Sequence, residues 1–253
     1  AADDVVEESS DTTAAPATTA APAQEESSSA PDGVFKLAIF QDPATQNLFK
    51  WYDTDTDAYS LYQMTGQSVS LFGISYPNYT LIPSMATELI ETSTDNGDGT
   101  FSYTVPITEG YEWSDGNPIT AEDWVFTYNT AKGLPLLGQW AAVWPSNCEV
   151  ECVTNVEAVD AYTVKISFNY DPGLTGWQYG AALAPALSKA YWEQFATSRE
   201  DLLAVSGAEA PVASAFVYDK IEQGAFYTWS YDPDTMYFGG ETTNYANGGV
   251  AFT

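Results

Sequence analysis

Histidine is absent from the 253-residue sequence, which removes the commonest metal ligand and the usual general base near neutral pH. No G-x-S-x-G motif occurs either, and a serine would have no histidine to activate it. Zinc and hydrolase readings lose their support, and no catalytic residue and no metal ligand is assigned. Basic residues are almost as scarce: seven Lys and Arg stand against 35 acids, for a net charge of -28. Nucleic acid and an anionic membrane surface are poor partners for such a chain, because either needs a basic footprint. The acidity reads first as a strongly hydrated or salt-adapted surface; attraction of cationic ligands is the sharper alternative. No run of 18 apolar residues occurs, so no segment spans a bilayer as a helix. Only two cysteines are present, Cys148 and Cys152. Their C-x3-C spacing fits neither a C-x-x-C redox motif nor a four-ligand zinc site. A local disulfide in an oxidising compartment is the expectation, against a pair of buried free thiols.

What is present divides sharply along the chain. Residues 1–32 are built from Ala, Thr, Ser, Pro and acids, without Lys, Arg or an aromatic ring. That composition cannot bury enough apolar surface to offset its ordering entropy, so a disordered tether is expected. From Gly33 aromatic and β-branched residues take over, and Val34 to Phe40 is a strand candidate. Phe101, Tyr103, Val105 and Ile107 alternate with Ser102, Thr104 and Pro106 in the period of a half-buried strand. With the turn residues Asp95-Asn96-Gly97-Asp98-Gly99 ahead of it, this predicts a hairpin from Glu88 to Ile107. A second hairpin is predicted from Val153–Val159 and Tyr162–Phe168 about Asp160-Ala161.

Thr120 followed by Ala121, Glu122 and Asp123 resembles a helix cap, and Trp124, Val125 and Tyr128 form an apolar stripe behind it. Pro185 to Phe195 offers a second helix with proline in its first turn. Hairpins together with helices between strands predict a mixed α/β (α+β) body.

Asp53 to Asp57, DTDTD, opens like a calcium loop but lacks Gly at position six and Glu at position twelve, so a solvated acidic loop is expected. Asn78-Tyr79-Thr80 spells a glycosylation sequon and carries no weight alone. With 35 acids, paired carboxylates arise anywhere and support no glycosidase dyad. Eight Trp and 17 Tyr suit both core packing and ligand stacking. Trp140, Trp144, Trp177 and Tyr179 lie beside Gly or Pro in predicted loops and are the candidates for exposure.

The segment WSDGNPITAEDWVFTYN, Trp113 to Asn129, resembles the peptide- and oligopeptide-type (family 5) extracytoplasmic solute-binding proteins of ABC importers. Ile82-Pro83-Ser84-Met85-Ala86-Thr87-Glu88-Leu89 is similar to that family's approach to the first hairpin. Val156 to Val164 is similar to its second hairpin. The stretch from Ala213 to Gly240 resembles its "G-P-Y-x-L" to "N-P-x-Y-W-G-G" region, with Ala215-Phe216-Val217 in place of Gly-Pro-Tyr. The resemblance implies a periplasmic-binding-protein-like first lobe over residues 33–253, with β-hairpins and flanking helices, cut off before a second lobe. It implies a monomeric, extracytoplasmic substrate-binding component that hands peptides or related small solutes to permease subunits. No enzyme activity and no cofactor is expected, and a membrane is reached only through a lipid anchor lost ahead of Ala1. In such a lobe Phe40, Gln41 and Asp42, with Trp140, Trp177 and Tyr179, are expected to face the ligand. A carbohydrate-binding or surface adhesion module is the alternative that the aromatic rings allow, with an acidic hydrolase more distant.

Overall fold

The computed structural model describes residues 38–53, 57–60, 67–75, 77–134, 136, 152–213, 216–222 and 224–231. The chain divides into two units, Ala1–Ala38 and Ile39–Thr253, and the elements below belong to the second. The predicted tether, Trp140, Trp144, Cys148 and residues 232–253 lie outside the described residues.

Alternating apolar residues build a four-stranded antiparallel sheet from β3 (Thr94–Asp95), β4 (Phe101–Pro106), β5 (Val153–Asp160) and β6 (Thr163–Phe168). Its order is β3-β4-β6-β5. Tyr103 faces Ile166 and Val105 faces Val164 across β4 and β6, while Val156 faces Ile166 across β5 and β6. All five are buried. A strand paired on both sides is the natural place for such residues, because each cross-strand pair adds packing on the covered face.

The predicted first arm from Glu88 is corrected: only Thr94 and Asp95 pair with β4. Upstream of them the chain does not continue the ladder: Ile90 O accepts from Trp177 Nε1 at 3.0 Å, and backbone contact with the end of β4 resumes only at Thr87, whose N–H donates to Pro106 O at 2.9 Å. The turn itself forms as read, with Gly97 and Gly99 at positive φ (78° and 87°).

α1 (Ala121–Gly133) covers this sheet through Ala121, Trp124, Tyr128 and Ala131, all buried. It starts where the sequence places it. Asp123 Oδ2 accepts the Thr120 N–H at 2.9 Å, and at the far end Lys132 Nζ donates to Val153 O and Thr154 O at 3.2 and 3.0 Å. A cation at a helix C-terminus and an acid at its N-terminus both complement the helix dipole.

The second predicted helix is much shorter. Only Lys189–Trp192 (α2) is α-helical, followed by a 3-10 turn over Glu193–Phe195. Pro185 to Ser188 is instead drawn out, because Ala186 exchanges backbone hydrogen bonds with Val69 (2.6 and 3.0 Å) and Leu187 N–H donates to Thr127 Oγ1 at 2.9 Å. The strand predicted over Val34 to Phe40 is not seen in its described part, where Ala38 and Ile39 are irregular and Phe40 lies in a bend.

Several elements carried no clear sequence signal. β1 (Phe72–Ile74) pairs with β2 (Leu81–Pro83) as a separate ribbon. A wide π-helical segment spans Gly173–Ala181, and α3 spans Arg199–Ala204 with Ser198 Oγ accepting the Asp201 N–H at 3.0 Å. Last comes the hairpin of β7 (Phe216–Glu222) and β8 (Phe226–Tyr231).

One apolar cluster joins these pieces, and its largest members are aromatic: Trp113, Trp124, Trp177, Trp192, Tyr52 and Tyr103 are fully buried. Buried Asn47 ties the early chain to α3, its Nδ2 donating to Leu202 O and Val205 O at 2.8 and 2.9 Å. Gly207 closes against the same segment at φ +77°, where an added Cβ would lie 2.3 Å from Gln46 O. Only glycine fits such an approach.

Candidate functional site

Among the described residues no group of three His, Cys, Asp or Glu is placed to hold a metal. Of the DTDTD run only Asp53 and Asp57 are described, and both carboxylates are engaged within the fold, contrary to the solvated loop expected of them. Asp53 is buried and ion-paired to Arg199, while Asp57 accepts from the backbone N–H groups of Ala44, Tyr59 and Ser60 and from Ser60 Oγ. Partial burial pushes the Asp57 carboxyl up, but those hydrogen bonds outweigh it and hold it below the ordinary value. These are structural uses of carboxylates, and they leave Asp42 as the sequence-predicted acid at a surface.

Asp42 follows Phe40 and Gln41 in an irregular segment. Phe40 is 98% exposed, Gln41 is exposed and Asp42 half-buried. Asp42 Oδ1 accepts a hydrogen bond from Tyr227 Oη of β8 at 3.2 Å. Its Oδ2 lies 3.8 Å from where a Cβ on Gly224 would stand, in the β7–β8 turn. No donor among the described residues hydrogen-bonds that second oxygen. A ring with almost all its surface in water, an amide and a half-satisfied carboxylate thus follow one another beside the turn end of a hairpin. That set can cover an apolar group and accept hydrogen bonds from an amine or hydroxyl.

A second exposed group forms at the tip of the β1–β2 ribbon. Tyr79 adopts φ 55°, the one non-glycine positive φ among the described residues, and its carbonyl accepts from Gln178 Nε2 and Tyr179 Oη, each at 3.0 Å. Tyr79 is 55% and Tyr179 48% exposed. Tyr179 therefore reaches the surface as expected, but from the wide helix rather than from a loop, with its hydroxyl committed and its ring open. Tyr79, Gln178 and Tyr227 were missed by sequence reasoning. The Pro77-Asn78 turn dipeptide ahead of Tyr79 was the only local signal for any of them.

Trp177 is corrected. It is 1% exposed, stacks on Tyr103 with ring centroids 3.6 Å apart and planes 7° from parallel, and meets Phe72 edge-on. Its neighbours Gly176 and Gly180 do not mark a loop but a wide helix that turns the indole inward. Cys152 is buried and disulfide-bonded; with Cys148 outside the described residues, the Cys148–Cys152 pairing stays a proposal. A shallow groove of about 400 Å³ runs along α1 from Glu122 to Leu134, flanked by Lys189 and Ala196, and contains none of the predicted ligand residues.

Next to Glu122 in the same helix turn, Asp123 is the described carboxylate pushed furthest from its ordinary value. Asp123 is buried, and loss of water pushes its carboxyl up to about 6. Hydrogen bonds from Thr120 N–H, Lys189 N–H and Trp113 Nε1 oppose that push and offset only part of it, so about 6 is the net result. Because all its partners are structural, Asp123 joins α1 to α2 and takes no place at a binding surface.

The fold is shared with solved oligopeptide-binding proteins. A mannohexaose-bound periplasmic oligopeptide-binding protein of an ABC transporter from Thermotoga maritima matches with TM-score 0.59 and 21% identity over 78% of this chain and 32% of its own. The Bacillus subtilis oligopeptide-binding protein AppA, in complex with a nonapeptide, matches with TM-score 0.55 and 20% identity over 72% and 33%. The Thermus thermophilus oligopeptide-binding protein complexed with a pentapeptide gives 0.54 and 17% over 76% and 36%. The chain therefore has the mixed α/β fold of periplasmic binding proteins and spans about a third of the length of these structures. No curated protein matches it. Residues 80–246 match the model of bacterial extracellular solute-binding proteins, family 5 Middle, which takes in the sheet, α1, the wide helix and the terminal hairpin; the chain belongs to the family 5 extracellular solute-binding proteins.

Proposed function

We propose that this chain is part of the substrate-binding component of an ABC importer, and that it captures peptides and delivers them to permease subunits outside the cytoplasm. The family match over residues 80–246 carries the reading, and neighbours that hold a nonapeptide and a pentapeptide support it. In this reading the protein acts as a monomer and catalyses nothing. Phe40 covers an apolar part of the ligand, Gln41 exchanges hydrogen bonds with its polar groups, Asp42 accepts hydrogen bonds from its amine or hydroxyl groups, and Tyr179 offers a ring face. A second surface of the whole protein closes over them, as in hinge-bending binding proteins generally. A lipid anchor ahead of Ala1 is part of the same proposal.

One observation favours a second ligand class. A neighbour of the same fold holds mannohexaose, and the open rings of Tyr79 and Tyr179 suit the faces of sugars. A thermal-shift screen of the full-length protein with di- to pentapeptides and with manno-oligosaccharides separates the two. Ligand stabilisation follows RT ln(1 + [L]/Kd), so the peptide reading predicts a melting temperature that rises with peptide concentration. A rise with oligosaccharide alone would overturn it.

A further inference from the structure

The scarcity of cations becomes informative once their contacts are known. Of the seven basic residues only Lys36 lies outside the described residues. Lys165 pairs with Glu157, Lys189 with Glu122, Arg199 with Asp53 and Lys220 with Glu222. Lys132 is spent on the carbonyls of Val153 and Thr154, and Lys50 is engaged as well. Every described cation therefore has an intramolecular partner. The acids are in the opposite position: Glu88, Glu91, Glu109, Glu112, Glu200 and Glu209 are exposed and enter no ion pair among the described residues.

A chain of net charge -28 whose described cations are all tied offers an anionic solute no free counter-charge among them and offers a cationic one a net attraction. Asp42, half-buried, with one oxygen held by Tyr227 and the other bonded by no described donor, supplies a local acceptor where that charge would draw its cargo. We infer that the solutes captured are cationic peptides, rich in Lys or Arg, and that anionic peptides are turned away. The inference rests on the peptide-capturing reading above and adds the charge class.

Field effects of this kind act on association, raise on-rates by roughly tenfold to a thousandfold and fall steeply with ionic strength. The test is stopped-flow association of trilysine, trialanine and triglutamate with the full-length protein, at about 10 mM and about 1 M salt. The Debye length at the higher salt is only about 3 Å. At low salt trilysine should bind at least roughly tenfold faster than trialanine, and triglutamate more slowly than both. The rates should converge at high salt. Excess trialanine should displace trilysine at one-to-one stoichiometry, which a merely adsorbed cation would not allow.

Equal low-salt rates for trilysine and trialanine would overturn the charge class and leave peptide capture standing; the acidity would then serve hydration alone. Undisplaceable trilysine would overturn it too. Failure of all three peptides while a manno-oligosaccharide binds would overturn the peptide reading itself, and the charge class with it.

Discussion

The sheet β3-β4-β6-β5 and the hairpin β7–β8 are made from the same local materials, aromatic and β-branched strands joined by tight turns, yet they hold themselves together differently. In the sheet, β6 is paired on both sides and Val164, Ile166 and Phe168 are fully buried. Above them lie α1 and the Trp177–Tyr103 stack. In the hairpin the described side chains are exposed or half-buried: Lys220 and Glu222 form a surface pair, Lys220 lies over the Phe226 ring at 4.9 Å, and Tyr227 reaches Asp42. An isolated two-stranded hairpin is marginal in water, whereas three or more strands with a covered face are stable. Strands paired on both sides under a covering helix, and not strand propensity, separate the buried sheet from the exposed hairpin.

The largest expected effect comes from removing the sheet's aromatic keystone. Trp177→Ala deletes the ring against Tyr103 and Phe72 and leaves the half-buried Ile90 carbonyl without its indole donor, so it should cost about 3–5 kcal/mol. Urea unfolding of the two proteins measures this directly. A loss below about 1 kcal/mol would show that the stack does not hold the sheet, and would restore the indole as a candidate for the surface.

Asp123 gives the next effect, with a pH signature. Its folded value of about 6 lies above the ordinary 3.8, so between the two the folded state binds more protons than the unfolded one. The protonation-linked stability is fully present below about 3.8 and is lost as pH rises through about 6. A tenfold change in proton affinity is worth about 1.4 kcal/mol, so the difference across the window is of the order of 3 kcal/mol. Asp123→Asn should flatten that dependence. At pH 7 it should also cost about 1–3 kcal/mol, since its amide NH2 faces donors from Thr120, Trp113 or Lys189. Parallel pH profiles for wild type and variant from pH 4 to 7 would refute the assignment.

Tyr227→Phe sharpens the comparison from the other side. It removes the hydrogen bond to Asp42 and should cost about 0.5–1.5 kcal/mol locally. Faster hydrogen exchange confined to β7–β8 amides, with the main unfolding midpoint unmoved, is the expected outcome; a global shift as large as that of Trp177→Ala would erase the distinction between the two regions. Smallest of all is Phe40→Ala. With its ring 98% exposed, stability should stay within about 0.5 kcal/mol. Affinity for a peptide ligand should fall in calorimetric titration. Unchanged affinity would remove Phe40 from the proposed site.

Much of the scaffold was legible because its signals are local. The period-two alternation of β4 and the β5–β6 pair needs only neighbours two residues apart, and Asp123 stands three residues from the Thr120 N–H it accepts. The second helix was over-read because helical spacing of Leu187 and Tyr191 says nothing about Val69, whose backbone claims Ala186. The candidate site was legible only in part. Phe40, Gln41 and Tyr179 do reach the surface, but Asp42 and Tyr227 are 185 residues apart, and no window along the chain contains both.

By itself the sequence determined the mixed α/β class, the two strand pairs around Phe101 and Tyr162, the start of α1 and the excess of negative charge, since each follows from composition or from contacts within a few residues. Only the tertiary structure decided that Trp177 is core while Tyr179, two residues on, is surface. It alone placed Asp53 in a buried ion pair, left Asp42 half-open and tied the described cations to partners of their own. Those outcomes depend on which distant segment arrives to desolvate a ring or neutralise a charge, and burial is a property of the packed chain that no residue carries alone.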